Sequence, residues 1–112
     1  MNLTDYDNPL MTAIISKVEI KPLSEHISPE FHEKFSNLDR DNIIIYFDME
    51  GVNGEKVTRN YFMMIPQLQG YSRSNLSAFR AKNPDLGSDT DEWIGKTILL
   101  RSDRAGYPTV AL

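Results

Sequence analysis

The chain of 112 residues contains no cysteine, and this absence excludes several kinds of site at once. Without a thiol there is no disulfide, no thiolate-bound zinc and no cysteine nucleophile. A chain without disulfides is typical of a reducing compartment, so the sequence predicts a cytoplasmic protein. The N-terminal stretch MNLTDYDNPL is acidic and polar, and we do not expect it to be a signal peptide. No apolar run reaches the ~20 residues of a membrane span, so no membrane partner is expected.

Histidine is scarce, and the residue patterns of common active sites are missing. His26 and His32 are the two histidines, and their spacing matches no recurrent zinc pattern. No serine lies in a Gly-x-Ser-x-Gly turn, and no phosphate-binding Gly-x-x-x-x-Gly-Lys loop is present. No two carboxyl groups lie in an apolar setting that would separate their pKa values for acid–base catalysis. The sequence therefore predicts a protein that is not an enzyme and that holds no metal and no cofactor.

Acidic side chains are absent from residues 56 to 84, although the net charge of the chain is −4. Residues 1 to 55 carry eleven acidic and four basic side chains, whereas residues 56 to 84 carry five basic ones. The net charge argues against a nucleic-acid partner, but a ligand responds mainly to charges within about 10 Å. The alternative interpretation is chance clustering on a solvated surface. The basic side chains in this stretch are Lys56, Arg59, Arg73, Arg80 and Lys82.

The pattern of apolar residues predicts a mainly β domain over residues 10–112, preceded by a flexible tail at residues 1–9. We expect strands near residues 10–22, 42–50, 55–66, 93–102 and 107–112. In the first strand, Ile14, Val18 and Ile20 are expected to share the buried face. Ser28 and Pro29 predict a helical turn between the first two strands, and a short helix is expected before Pro84. Trp93 is expected to anchor the core.

Five strands with a helix between the third and fourth is the layout of the OB-fold, a partly open Greek-key barrel. A small sandwich and an SH3-like barrel are the alternatives. The segments NGEKVTRNYFMMIP and DEWIGKTILLRSDRAGYPTVAL resemble small OB-fold modules of phage and archaeal type. These modules are loosely similar to single-stranded DNA-binding and replication-factor-A-like domains. The resemblance implies oligonucleotide binding on the exterior of the second and third strands, and it implies no chemistry.

The second and third strands are predicted to form a hairpin closed by a two-residue Asn53-Gly54 turn. In that register Tyr46 lies opposite Tyr61, and Asp48 lies opposite Arg59. The apolar residues at alternate positions from 43 to 49 are expected to face the core. The two tyrosines would then lie together on the exterior, either as a stabilising cross-strand pair or as a platform on which bases stack. A turn shifted by one residue would reverse these faces.

Two functions are consistent with the sequence. The first is binding of single-stranded DNA or RNA, with tyrosines contacting bases and basic side chains contacting phosphates. The second is a protein–protein interaction or structural module of a larger replication, phage or archaeal assembly, in which the same aromatic residues and Met63 contact a protein. Candidate nucleic-acid-binding residues are Tyr46, Lys56, Arg59, Tyr61, Arg73, Arg101, Arg104 and Tyr107.

Overall fold

A curled antiparallel sheet is the main element of the fold in a computed structural model that describes residues 11–50, 54–66, 74–102 and 108–110. Its four longer strands are β1 (Met11–Pro22), β2 (Asp41–Glu50), β3 (Lys56–Met64) and β4 (Thr97–Ser102). A three-residue segment, β5 (Pro108–Val110), pairs with β4, and the order across the sheet is β3-β2-β1-β4-β5. The predicted mainly β architecture is confirmed. Closure of a five-stranded barrel stays a prediction, and the predicted tail lies outside the described residues.

β1 holds the sheet together because it pairs with β2 along most of its length and with β4 at its start. A bulge between Ile15 and Lys17 interrupts the ladder with β2. A bulge adds one residue to a strand, so the side chains before and after it are out of phase. Ala13 and Ile15 therefore face the core, whereas Ile14 is 52% exposed. The expected burial of Ile14 is wrong for this reason. Ile20 is also 52% exposed, so its expected burial is wrong as well, although it lies opposite Ile43 on the inner face.

The inner face of the sheet carries the core, which two helical segments cover. Helix α2 (Asn75–Lys82) contributes Phe79, and a 3-10 helix (Thr90–Trp93) contributes Trp93. Their rings lie 6.0 Å apart, and the indole Nε1 donates a hydrogen bond of 2.8 Å to the Gly87 carbonyl. The predicted anchoring role of Trp93 is confirmed. The buried core residues are Ala13, Ile15, Ile43, Ile45, Phe47, Met63, Phe79, Leu86, Trp93, Ile98 and Leu100.

Helix α2 begins and ends where its sequence requires. The Ser74 hydroxyl accepts a hydrogen bond of 3.1 Å from the amide of Ser77, which caps the N-terminus. The helix ends at Lys82, and the following Asn83 is buried. Its Nδ2 donates to the Phe79 carbonyl, and its Oδ1 accepts from the amide of Leu99, both at 3.0 Å. The side chain of Asn83 thereby joins the helix to β4.

The connection from β1 to β2 is ordered by its own hydrogen bonds. It contains helix α1 (Leu23–His26) and a 3-10 helix (Pro29–Lys34) at the predicted helical turn. The amide of Ser24 donates to the Leu38 carbonyl at 2.9 Å, so the connection folds back on itself. Arg40 Nη2 donates to the Ile65 carbonyl at 2.9 Å, which attaches the connection to the end of β3. Within the described ranges, no helix is long and apolar enough to cross a membrane.

Candidate functional site

The register of β2 against β3 decides which side chains share a face. Tyr46 lies opposite Asn60, Ile45 opposite Tyr61, and Phe47 opposite Arg59. The sequence-based register, which pairs Tyr46 with Tyr61, is therefore wrong by one residue. The ladder starts at Glu50 and Lys56, so five residues separate the strands instead of the two expected. Part of that turn, residues 51–53, lies outside the described residues.

This shift moves the β3 candidates to the inner face, because neighbouring residues of a strand point to opposite sides. Tyr61 is half-buried against the core, and this burial raises the pKa of its phenol. Arg59 lies on the same face and is exposed at the rim of the sheet. Met63 is only 1% exposed, so it cannot contact a protein partner. Tyr46 and Tyr61 therefore do not form the expected shared platform.

The remaining sequence candidates are dispersed. Lys56 is exposed on the outer face of β3, where its Nζ lies 3.3 Å from Asp48 Oδ2. Asp48 also accepts a 2.6 Å hydrogen bond from the Thr58 hydroxyl, so the predicted Asp48–Arg59 pair is replaced. Arg101 is exposed on β4, about 20 Å from Tyr46 at ~3.3 Å per strand residue. Three candidates lie outside the described residues, namely Arg73, Arg104 and Tyr107.

Four aromatic rings lie in continuous contact on the outer face of β2 and β3, and we call them the aromatic row: Tyr46, His26, Phe62 and Phe35. The His26 ring lies 6.3 Å from that of Tyr46 and 5.6 Å from that of Phe62, edge to face in both cases. Phe35 also contacts Phe62, with ring centres 5.9 Å apart and again edge to face. All four rings are partly exposed, and Phe35 is 40% exposed. The row therefore presents aromatic surface to solvent along the two strands.

The row combines residues that are far apart in the sequence. Tyr46 and Phe62 come from β2 and β3, whereas His26 ends α1 and Phe35 follows the 3-10 helix. His26 Nε2 lies 3.0 Å from Asn60 Oδ1, and this hydrogen bond fixes the imidazole over the strand. The predicted register paired Tyr46 with Tyr61 and so turned Phe62 inward, and no sequence pattern linked His26 to the sheet, so the row was missed. The available signal was a connection carrying several aromatic residues, which favours packing on the sheet.

Charged groups of both signs surround Tyr46. The Lys17 ammonium lies 5.3 Å from the centre of the Tyr46 ring, a cation–π distance. The Tyr46 hydroxyl donates a hydrogen bond to the Glu19 carboxylate, which, together with burial, raises the pKa of Tyr46 to about 12. The same bond lowers the pKa of Glu19, and Lys17 and Lys21 lower it further. Tyr46 is thus held in one orientation, with its hydroxyl neutral and an exposed lysine over its ring.

An open groove of about 550 Å³ continues the outer face beyond Tyr46, toward the end of β2. Asp48, Glu50, Glu55 and Lys56 contribute its charged lining. Hydrogen bonds and ion pairing with Thr58 and Lys56 lower the pKa of Asp48, so this carboxyl is ionised at neutral pH. The excess of carboxylates makes the groove unfavourable for phosphate. A polyanion on this face would therefore end near Tyr46.

The two histidines do not converge. His26 belongs to the aromatic row, whereas His32 Nε2 lies 3.2 Å from the Ile27 carbonyl oxygen. Among the residues that the structure describes, no group of three or more histidine and acidic side chains could hold a metal ion. The side chains of this face offer groups for stacking, hydrogen bonding and charge pairing.

Comparison with protein-family models, with curated proteins and with solved structures gave no match for this chain.

Proposed function

We propose that the chain is a module that binds single-stranded nucleic acid and that the bases of the nucleic acid stack on the aromatic row. The observation that carries this proposal is the continuous contact of Tyr46, His26, Phe62 and Phe35 on one exposed face. Stacking on aromatic side chains is the main sequence-tolerant interaction of proteins with single strands, at about 1–3 kcal/mol per base. An exposed series of rings suits this ligand because each base of a strand has an apolar face.

Exposing the Tyr46 ring to a base requires little free energy. Lys17 must leave the Tyr46 ring, and an exposed cation–π contact is worth about 0.5–1 kcal/mol. Its ion pair with Glu19, 3.6 Å long and solvent-exposed on the lysine side, adds less than about 1 kcal/mol. Together these costs are about 0.5–2 kcal/mol, the same order as the stacking of one base. The displaced Lys17 ammonium then becomes available to a phosphate.

The proposed fold is an OB-fold barrel, a class that binds oligonucleotides on the exterior of its second and third strands. The strand order supports this proposal, since β1 lies between β2 and β4 and β3 lies outside β2. The position of α2 between β3 and β4 agrees with the same layout. The aromatic row lies on the exterior of β2 and β3, where this class of fold places its ligand.

Electrostatics supply a modest part of the proposed affinity. Lys17 is an exposed cation beside the row, and Lys56 is exposed further along the outer face; both have an acidic neighbour. Neutralising two phosphates of a single strand gives a slope of about −1.4 in a plot of log K against log salt. We therefore expect binding that weakens with salt, but less steeply than for a strongly basic protein.

Fluorescence anisotropy with a labelled oligo-dT, at low and moderate salt, tests the proposal. Tyr46→Ala and Phe35→Ala each remove one ring and are expected to weaken binding by about 5- to 100-fold. Phe31→Ala is the matched control, because Phe31 is 44% exposed in the neighbouring 3-10 helix and its ring contacts Lys34 instead of the row. The control is expected to bind like the wild type.

Two results would contradict the proposal. Absence of oligo-dT binding by the wild-type protein at low salt removes the function itself. Equal affinity of the wild type, Tyr46→Ala and Phe35→Ala shows that any binding occurs on another surface. Circular dichroism of each variant establishes that the loss of a ring has not unfolded the chain.

A protein-contacting module is the second candidate function. Phe35 and Met64 are 40% and 39% exposed, and such apolar side chains are common in protein interfaces. The salt dependence separates the two functions, because phosphate contacts weaken as salt rises whereas apolar contacts change little.

A further inference from the structure

Two ammonium groups and a hydroxyl converge on one carboxylate beside the aromatic row. Lys17, Glu19 and Lys21 occupy alternate positions of β1 and therefore share its outer face. Lys17 Nζ lies 3.6 Å from Glu19 Oε1, and Lys21 Nζ lies 3.4 Å from Glu19 Oε2. The Tyr46 hydroxyl donates a hydrogen bond to the same carboxylate. Glu19 thus receives all three donors at the hydroxyl edge of the Tyr46 ring.

The carboxylate is held at a place that solvent reaches. The Lys17 side chain is 63% exposed, and those of Glu19 and Lys21 are 28% and 26% exposed. Ion pairs of this kind contribute little to stability, because water screens the charges and competes for the hydrogen bonds. The two lysines also outnumber the carboxylate, so this part of the outer face is positive. An anion from solvent can therefore exchange with the Glu19 side chain.

A phosphate matches the donors that Glu19 now binds. Ammonium and hydroxyl groups donate hydrogen bonds to carboxylate and to phosphate oxygens alike. The donors lie at the edge of the Tyr46 ring, and the face of this ring is the proposed stacking surface. One nucleotide can therefore place its base on the ring and an adjoining phosphate at the hydroxyl edge. The Glu19 carboxylate holds the position that this phosphate requires.

We propose that Lys17, Lys21 and the Tyr46 hydroxyl form a phosphate subsite beside the aromatic row. In the free protein, the Glu19 carboxylate occupies this subsite as an internal competitor. This inference rests on the proposed function. A bound single strand displaces the carboxylate toward solvent, and the nearby negative charge continues to repel the phosphate. Glu19 therefore limits the affinity for nucleic acid.

Anisotropy titration of labelled oligo-dT with Glu19→Gln tests this role. The variant keeps the size of the side chain and an acceptor for Tyr46 but removes the charge, so we expect binding about 3- to 10-fold tighter. The slope of log K against log salt should steepen by about 0.7, the value for one more phosphate neutralised on a single strand. Asp85→Asn is the matched control, because Asp85 is exposed just after α2 and its loss changes the net charge equally. The control should bind like the wild type.

A second substitution shows whether the gain arises in the subsite. Lys21→Gln, made in the Glu19→Gln background, removes a donor that the phosphate would use, so it is expected to abolish most of the gain. Lys82→Gln in the same background removes an equal charge from the exposed end of α2 and should preserve the gain. Circular dichroism establishes that each variant is folded.

Two outcomes would contradict the inference while the proposed function stands. In the first, the wild type binds oligo-dT, but Glu19→Gln binds no more tightly than Asp85→Asn. In the second, the gain in affinity is the same with and without Lys21. If the wild type does not bind oligo-dT at low salt, the proposed function fails and the inference fails with it.

Discussion

The imidazole of His26 is hydrogen-bonded to the side chain of Asn60, 34 residues further along the chain, at 3.0 Å. This bond links the connection between β1 and β2 to β3, the outermost strand of the described sheet beyond β2. Arg40 makes a second link of the same kind to the Ile65 carbonyl. The connection is thus hydrogen-bonded to the outer face of β3 and to the residue after its end. These two bonds hold His26 and Phe35 in the aromatic row.

Loss of the His26 side chain is expected to destabilise the fold. His26→Ala removes the bond to Asn60 and the contacts with Tyr46 and Phe62, for a loss of about 1–2 kcal/mol. His26→Phe retains the ring contacts and should lose about half as much. Urea unfolding followed by circular dichroism measures both. Glu25→Ala, the exposed neighbour, is the control, and equal stability of Glu25→Ala and His26→Ala would contradict this role.

Alkaline pH tests the hydrogen bond between Tyr46 and Glu19. The pKa of Tyr46 is raised to about 12, so the folded state favours the protonated phenol more than the unfolded state does. The resulting stabilisation is fully present below the ordinary value of 10.0 and declines as the pH rises toward 12. In Tyr46→Phe, the free energy of unfolding should lack the part of this fall with pH that comes from Tyr46.

Ultraviolet titration of tyrosinate gives an independent measurement for the same group. The difference between the wild-type and Tyr46→Phe curves isolates Tyr46 from Tyr61, whose pKa is also raised. In Glu19→Gln, the main cause of the shift is removed, and Tyr46 should ionise at lower pH. A Tyr46 titration that is the same with and without the Glu19 carboxylate would exclude the hydrogen bond as the cause.

The sequence predicts residue positions correctly where the local pattern is consistent with only one structure. Ile43, Ile45 and Phe47 lie at alternate positions of β2, and all three are buried as expected. Pro84 limits the helical region to residues before Asn83, and α2 ends at Lys82. In both cases the deciding information lies within a few neighbouring residues.

The length of the turn before β3 decides which of its side chains face the core, and the turn motif predicted the wrong length. Asn53-Gly54 favours a two-residue loop, but the strand itself alternates Val57, Arg59, Tyr61 and Met63 against Thr58, Asn60 and Phe62. The first set buries more apolar surface, so the sheet adopts the register that turns it inward. Burial of side chains outweighed the local preference of the turn.

The aromatic row could not be derived from local patterns. His26 and Phe35 lie in a connection whose short helices have few buried residues, so their periodicity carries little information. Their positions are set by contacts with Asn60 and Phe62, far away in the sequence. Likewise, the bulge that exposes Ile14 arises from pairing between strands. The only sign of it in the sequence of β1 is Ser16, a polar residue where the alternation predicts an apolar one.

The buried side chain of Asn83 is expected to contribute strongly to stability. Asn83→Ala leaves the amide of Leu99 without its partner at Oδ1, a loss of about 1–3 kcal/mol for a buried donor. Lys82→Ala, the adjacent exposed residue at the end of α2, is the control. Chemical denaturation of the two variants measures the difference. Equal stability would show that Asn83 does not join α2 to β4 as described.

The absence of cysteine allows a direct chemical test of the β2–β3 register, on which the aromatic row depends. Asp48 lies opposite Thr58 on the outer face, whereas Arg59 points to the inner face. Cysteines at positions 48 and 58 would face each other, and a disulfide requires Cβ atoms about 3.5–4.5 Å apart. We expect the double variant Asp48→Cys with Thr58→Cys to lose both free thiols on mild oxidation while remaining monomeric.

In Asp48→Cys with Arg59→Cys, the two side chains lie on opposite sides of the sheet, and both thiols should stay free. Thiol titration after oxidation, with chain length checked by non-reducing electrophoresis, distinguishes the pairs. The opposite result would restore the two-residue turn and bring Tyr46 and Tyr61 together. It would also remove Phe62 and Asn60 from the face that we propose to bind nucleic acid.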